Sequence, residues 1–276
     1  VAKWNSAHPN IQVESTKFDG KAQEMIKKLE NDSKAGTAPC LAQLGYAEVP
    51  SMYTKGLLAD VSAEAAKYAS GFSAGAMGLM KVGPATVGLP QDSGPLVYYY
   101  NKAEFEKLGL TVPTTMADLA TTAKKAAEKG KFVVDFQSDE AHYGLSAQAA
   151  AAGATWFTTA NDQWKVGVTS AETAKVADFW QGLLDSKATA LEPRWGDGFK
   201  KALVDQKLIG TIGAAWEAPL LAGDMAGSKN EGQWAVAQLP PQKLMRFAVP
   251  LYVVGVILLV FFLAWVLSAV VPSGPV

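Results

Sequence analysis

The chain is poor in the residues that build disulfide and metal sites. Its single cysteine, Cys40, excludes an internal disulfide and puts a thiolate-rich metal site out of reach without other ligands. Cysteine usage therefore leaves the compartment undecided. There are only two histidines, His8 and His142, far apart and without His-Glu-x-x-His spacing, so a catalytic zinc site is not expected. Net charge is scarce too: 25 basic against 26 acidic residues give −1 with no block of either sign, whereas a nucleic-acid surface needs a basic excess. No Gly-x-Ser-x-Gly elbow and no Gly-x-x-x-x-Gly-Lys-Ser/Thr loop occurs. The adjacent Asp139 and Glu140 read as solvated charges of a surface turn rather than an acid/base pair. No cofactor is implied. Residues 1–10 read as a helix end running into a turn, without the charged and apolar regions of a signal peptide.

What the chain does have is one long uncharged apolar run, residues 247–271, directly after the turn-rich residues 238–242. As a helix at about 1.5 Å per residue it would reach roughly 37 Å, enough for a hydrocarbon layer of ~30 Å. The expectation is a body over residues 1–242 and a membrane-spanning segment with short flanks over 243–276. Pro250 falls in the first turn of such a helix, where its missing N–H costs little.

Within the body, residues 11–18 alternate like a short strand, and Met25, Ile26 and Leu29 give an apolar face to a helix over about 21–34. Residues 40–44 read as a short buried strand, with Cys40 as a small buried hydrophobe, and a helix follows near 49–55. Further strands are expected at 85–90, 96–100, 132–136 and 208–212. Helices are expected at 101–109 with Asn101 as cap, at 116–129, 147–152 and 171–184, and a polar loop at 223–232. Alternating strands and helices favour an α/β body with a parallel sheet.

With these segments placed, residues 14–240 resemble the extracellular solute-binding proteins of sugar-type ABC importers, the maltose- and glycerol-phosphate-binding class. The most specific match is Gly88-Leu89-Pro90, then Leu96-Val97-Tyr98-Tyr99-Tyr100-Asn101-Lys102, then Phe105 to Leu110 with its Gly-Leu end, then Pro113-Thr114-Thr115. Phe18-Asp19-Gly20-Lys21, Gly36-Thr37-Ala38-Pro39 and residues 56–61 form a second match, and residues 208–216, ending in Trp216, a third. The order of these strings carries the resemblance. The chain departs from the pattern at Cys40, where the family usually has Asp, and at Met116, where it commonly has Trp. The resemblance implies a periplasmic-binding-protein-like two-lobe α/β fold, incomplete at both ends, joined to one C-terminal transmembrane helix without counterpart in the family.

It also implies a binding protein, not an enzyme: a carbohydrate or related polyol held between two lobes outside the cytoplasmic membrane and delivered to ABC permease subunits. Sugar recognition needs flat aromatic faces against the apolar side of the ring, with fixed polar groups for the hydroxyls. Trp156, Trp195 and Trp216 each sit among small or turn-forming residues and are the aromatic candidates. Asp92 and Ser93, on the loop where the family presents ligand-facing groups, are the preferred polar contacts, followed by Tyr46, Glu48, Asp197 and Glu217. A membrane-anchored glycan-processing enzyme using Asp92, Asp197 or Glu217 is the competing reading, and a truncated or composite chain a third. Lys243 and Arg246 would place the near flank of the run in the cytoplasm, in tension with an exported body; a long domain can override loop charge, and a body and tail from different proteins joined near Gln242 is the alternative.

Overall fold

A computed structural model gives the structure, described for residues 1–18, 20, 22–161 and 163–237. These residues fall into two compact units, Val1–Ser93 and Gly94 onward. Among them no helix is long and apolar enough to cross a membrane. The run 247–271 lies outside the described residues.

The first unit is mostly helical. It comprises α1 (Ala2–Ala7), α2 (Ala22–Lys34), α3 (Val49–Thr54), α4 (Ser62–Ala66) and α5 (Ala74–Leu79), with a two-residue antiparallel pair, β1 (Lys81–Val82) and β2 (Ala85–Thr86). Val49, Met52, Ala65, Ala76, Met77, Met80 and Ala85 are its buried apolar side chains. Two expected strands are absent here. Residues 11–18 pair with no strand because a side chain takes the place of one: Asn5 Nδ2 donates to the Val13 carbonyl at 2.9 Å and its Oδ1 accepts the Val13 N–H at 2.8 Å. Residues 40–44 form no strand and lie open, with Leu41 82% exposed and Cys40 exposed, so the expected burial of both is corrected. A short apolar run satisfies the buried-strand pattern whether or not a layer covers it.

The second unit is built on β3 (Leu96–Asn101), flanked by β6 (Gly210–Ala214) and β7 (Trp234–Ala237) in the order β6-β3-β7. Around it lie α6 (Lys102–Leu108), α7 (Met116–Ala127), α8 (Ala141–Ala151), the hairpin β4 (Phe157–Ala160) and β5 (Gln163–Val166), α9 (Ala171–Asp185), α10 (Asp197–Val204) and α11 (Ala218–Met225). Both ladders of β3 are antiparallel, which corrects the expected parallel sheet. Parallel pairing survives as single bridges, Phe132 with Leu208 and Asp135 with Ala190. Residues 132–136 split their hydrogen bonds between two partners, Phe132 N–H donating to Lys207 O at 2.8 Å and Phe136 N–H to Ala190 O at 2.9 Å. Apolar periodicity carries no information about strand direction.

Successive side chains on a strand point to opposite faces, and β3 uses both. Tyr98 packs with Phe105, Leu119, Val133, Val134, Trp180 and Leu183 on one side. Tyr99 packs with Phe199, Leu203, Leu208, Leu221 and Met225 on the other. Helices thus cover both faces, which is why the strand reads as an unbroken apolar run. Asn101 ends it: its Oδ1 accepts the Glu104 N–H at 3.0 Å as the cap of α6, while its Nδ2 donates to Asn230 Oδ1 at 2.7 Å.

Candidate functional site

The ends of β3 and β6 meet at the approach to α11. Leu96 stands opposite Ala214, and Ala215 N–H donates to Pro95 O at 3.0 Å. Beyond Ala214 a single 3₁₀ turn, Ala215–Glu217, carries the chain into α11, whose Pro219 sits in the first turn where no N–H is needed. Trp216 is 50% exposed on this turn. Its indole lies against Gly94, where a Cβ would stand 2.7 Å from Nε1 and 3.2 Å from Ala214 Cβ. Only glycine leaves room for the ring.

Directly after the exposed indole comes a buried carboxylate. Glu217 Oε1 accepts the Ala214 N–H at 3.0 Å, and the other oxygen forms an ion pair with Arg194 Nη2. Arg194 is 2% exposed; its Nη1 donates to Thr211 Oγ1 at 3.1 Å. The guanidinium carbon stands 4.6 Å from the ring centroids of both Trp195 and Phe199, a stacking geometry that suits a planar, weakly hydrated cation. Its backbone N–H donates to Asp139 Oδ1 at 3.0 Å. Gly213 belongs to the same packing: a Cβ there would stand 2.7 Å from Arg194 Nη2.

Trp195 has φ of +62°, a left-handed conformation that costs a bulky side chain about 1–2 kcal/mol. The turn is closed by Gly196 N–H donating to Pro193 O at 3.1 Å, and the ring is held by Arg194. Strain of this kind persists where surrounding contacts over-determine it.

Charge is concentrated beneath the turn. Burial pushes the Asp135 carboxyl up to about 6, against the Glu192 N–H that it accepts at 3.0 Å and the Arg194 charge, both of which pull it down. Burial also lowers Arg194 to about 10, opposed by Asp135 and Glu140. Two partners hold Arg194 in its charged form at neutral pH despite its burial.

The other candidates are placed as follows. Trp156 is half-buried and donates its indole N–H to Thr173 Oγ1 at 2.8 Å, so it braces the start of α9. Asp197 is exposed in the first turn of α10. In the first unit, Tyr46 is half-buried and its hydroxyl donates to the Asp92 carbonyl, while the Asp92 and Ser93 side chains are exposed. Glu48 is half-buried and folds back over Gly45. The structure therefore brings together Trp195, Trp216 and Glu217 through Arg194, and Tyr46 with Asp92. Glu217 is buried, not a surface acceptor, and Asp139 is a half-buried hydrogen-bond acceptor, not a solvated charge. Arg194, Asp135 and Gly94 escape a reading of the sequence because arginine and aspartate are seldom buried and a glycine next to proline reads as a turn. Among the described residues no group of three or more His, Cys, Asp or Glu is placed to hold a metal ion.

Known proteins resemble the chain as follows. Residues 1–269 match the family described as bacterial extracellular solute-binding protein, a match that enters the apolar run and gives no support to reading that run as unrelated to the body. The galacto-N-biose/lacto-N-biose I-binding protein of Bifidobacterium longum, solved with lacto-N-biose, is 51% identical, with a TM-score of 0.81 over 87% of this chain and 60% of that one. An ABC-transporter-associated binding protein of B. animalis subsp. lactis, solved with β-1,6-galactobiose, is 24% identical with a TM-score of 0.75 over 87% and 59%. The GacH receptor of Streptomyces glaucescens, solved free and with acarbose, is 22% identical with a TM-score of 0.70 over 87% and 61%. The last two support the fold alone. The chain spans about 60% of the length of the solved structures it matches. No curated protein matches it.

Proposed function

We infer function from family: the chain belongs to the bacterial extracellular solute-binding proteins. We propose that it binds a carbohydrate on the extracytoplasmic side of the membrane and hands it to an ABC permease, without chemical turnover. The observation that carries this reading is Trp216, an indole left half open on a turn whose other groups are fixed by buried hydrogen bonds and an ion pair. A sugar ring offers an apolar face to such an indole, and a platform already ordered loses little entropy on binding. The ligand proposed first is a galactose-containing disaccharide, because the protein from Bifidobacterium longum, 51% identical to this chain, was solved with lacto-N-biose. Trp195, Asp92, Ser93, Tyr46 and Glu48 are proposed as further contacts. Trp156, Asp197 and Glu217 are given lesser parts, since Trp156 and Glu217 already spend their polar atoms on the protein.

Calorimetric titration with lacto-N-biose, galacto-N-biose and maltose tests the proposal. Saturable binding of the first two, with the sugar recovered unchanged, supports it. Release of monosaccharides would instead favour the glycan-processing reading.

The attachment of residues 243–276 to a membrane is part of the same proposal and rests on the uncharged run 247–271. Carbonate-resistant association of the full chain with membranes, lost on deleting 247–271, is the expected result.

A further inference from the structure

We propose that Arg194 is a positioning residue for ligand binding: one buried guanidinium sets the geometry of both candidate aromatic contacts, Trp195 and Trp216. The inference rests on the carbohydrate-binding reading for its consequence, though not for its structural content.

Three loops that approach β6 are tied to this one residue. The turn at 193–196 is tied by the residue itself, with its own neighbour Trp195 stacked on the guanidinium at 4.6 Å. The turn carrying Trp216 is tied through Glu217, which pairs with Arg194 by one oxygen and accepts the Ala214 N–H at 3.0 Å by the other. The loop before α8 is tied by Asp139, which accepts the Arg194 N–H at 3.0 Å. Thr211 on β6 supplies the fixed reference, accepting from Nη1 at 3.1 Å. Arg194 is too buried to touch solvent, at 2% exposure, and a hydrophobic residue would fill the same space without the ion pair.

A buried ion pair is weak evidence for stability, because its desolvation offsets most of its attraction, so its presence calls for another account. Here the planar guanidinium does what an apolar residue would not. It fixes the rotation of Glu217, and so the path of the Ala215–Glu217 turn. It also stacks with Trp195 in a backbone conformation that the residue would otherwise leave. Lysine would keep the charge but lose the plane and the fork of donors.

The test uses the full chain labelled with 5-fluorotryptophan, with the Trp216 resonance assigned by Trp216→Phe and the hairpin Trp164 as an internal control. Arg194→Lys is expected to shift or broaden the Trp216 resonance, leave that of Trp164 in place, and weaken lacto-N-biose binding at least tenfold. In a Trp216→Phe background the same substitution is expected to cost much less than tenfold, since a residue acting through Trp216 couples to it in a double-mutant cycle. If Arg194→Lys does not fold, the paired change Arg194→Met with Glu217→Leu removes the ion pair without stranding a charge and is read the same way. An unmoved Trp216 resonance overturns the proposal, as does equal loss of affinity in both backgrounds. Should the wild type bind none of the sugars, the carbohydrate reading fails, while the resonance still decides whether Arg194 positions Trp216.

Discussion

Arg194 and Glu217 form an ion pair at the end of β6 in which both residues are buried, at 2% and 7% exposure, one residue away from the half-exposed Trp216. A buried ion pair of the second unit thus lies next to a half-exposed indole, and the proposed binding depends on that adjacency.

Breaking the pair from one side strands a charge. Glu217→Leu should lower stability by about 3–5 kcal/mol, the usual cost of leaving a buried partner uncompensated. Urea unfolding followed at the tryptophan emission checks it. The double change Arg194→Met with Glu217→Leu should recover most of that loss, while disaccharide affinity should not recover.

Asp135 gives the second unit a stability that depends on pH. Its folded pKa, about 6, lies above the ordinary carboxylate value, so the folded state binds the extra proton and stability falls as pH rises from about 4 through 6, then levels. The gap of two pH units sets the span at no more than about 3 kcal/mol. Urea midpoints of wild type and Asp135→Asn between pH 4 and 7 should converge toward neutrality in slope, the variant lacking this contribution at the acid end.

Asn101 lies within the Tyr-Asn-Lys string on which the family resemblance leans, yet its work is structural. It caps α6 and bridges to Asn230 at 2.7 Å. Asn101→Ala should cost roughly 1–3 kcal/mol from the lost cap and the stranded amide. Lacto-N-biose affinity measured below the unfolding transition should stay within about twofold of wild type, since a fully buried cap touches no ligand.

Much of the frame was legible in the sequence because its signals are local. Asn101 reads as the cap of α6 and caps it, and α7 and α9 start where helices are expected at 116 and 171, the structure adding Thr115 and Ser170 as their side-chain caps. Strand pairing was not legible, because the direction of β3 against β6 depends on residues more than a hundred positions apart. The hairpin β4–β5, with all eight residues exposed, lacks the buried face that would mark it. For the site, Trp216 could be found from its small neighbours, whereas Arg194 could not, since its burial depends on carboxylates from distant segments that arrive only with the fold. Cys40 shows the opposite failure: an apolar context suggested a core that the structure does not build there.

Gly94 gives a narrow probe of the indole's seat. Gly94→Ala would set a methyl group 2.7 Å from Trp216 Nε1 and 3.2 Å from Ala214 Cβ, so the exposed ring must turn aside. Disaccharide affinity should fall on the order of tenfold with little change in thermal midpoint, because Trp216 is a surface residue whose movement leaves the core intact.

The most direct measurement is lacto-N-biose titration of the wild type and Trp216→Ala, read by calorimetry with the recovered sugar analysed for cleavage. Saturable binding without cleavage is expected in the wild type, with a loss of roughly thirtyfold or more in the variant, as for other central aromatic contacts. Equal affinity in the two proteins, or cleavage of the disaccharide, would contradict the proposed function.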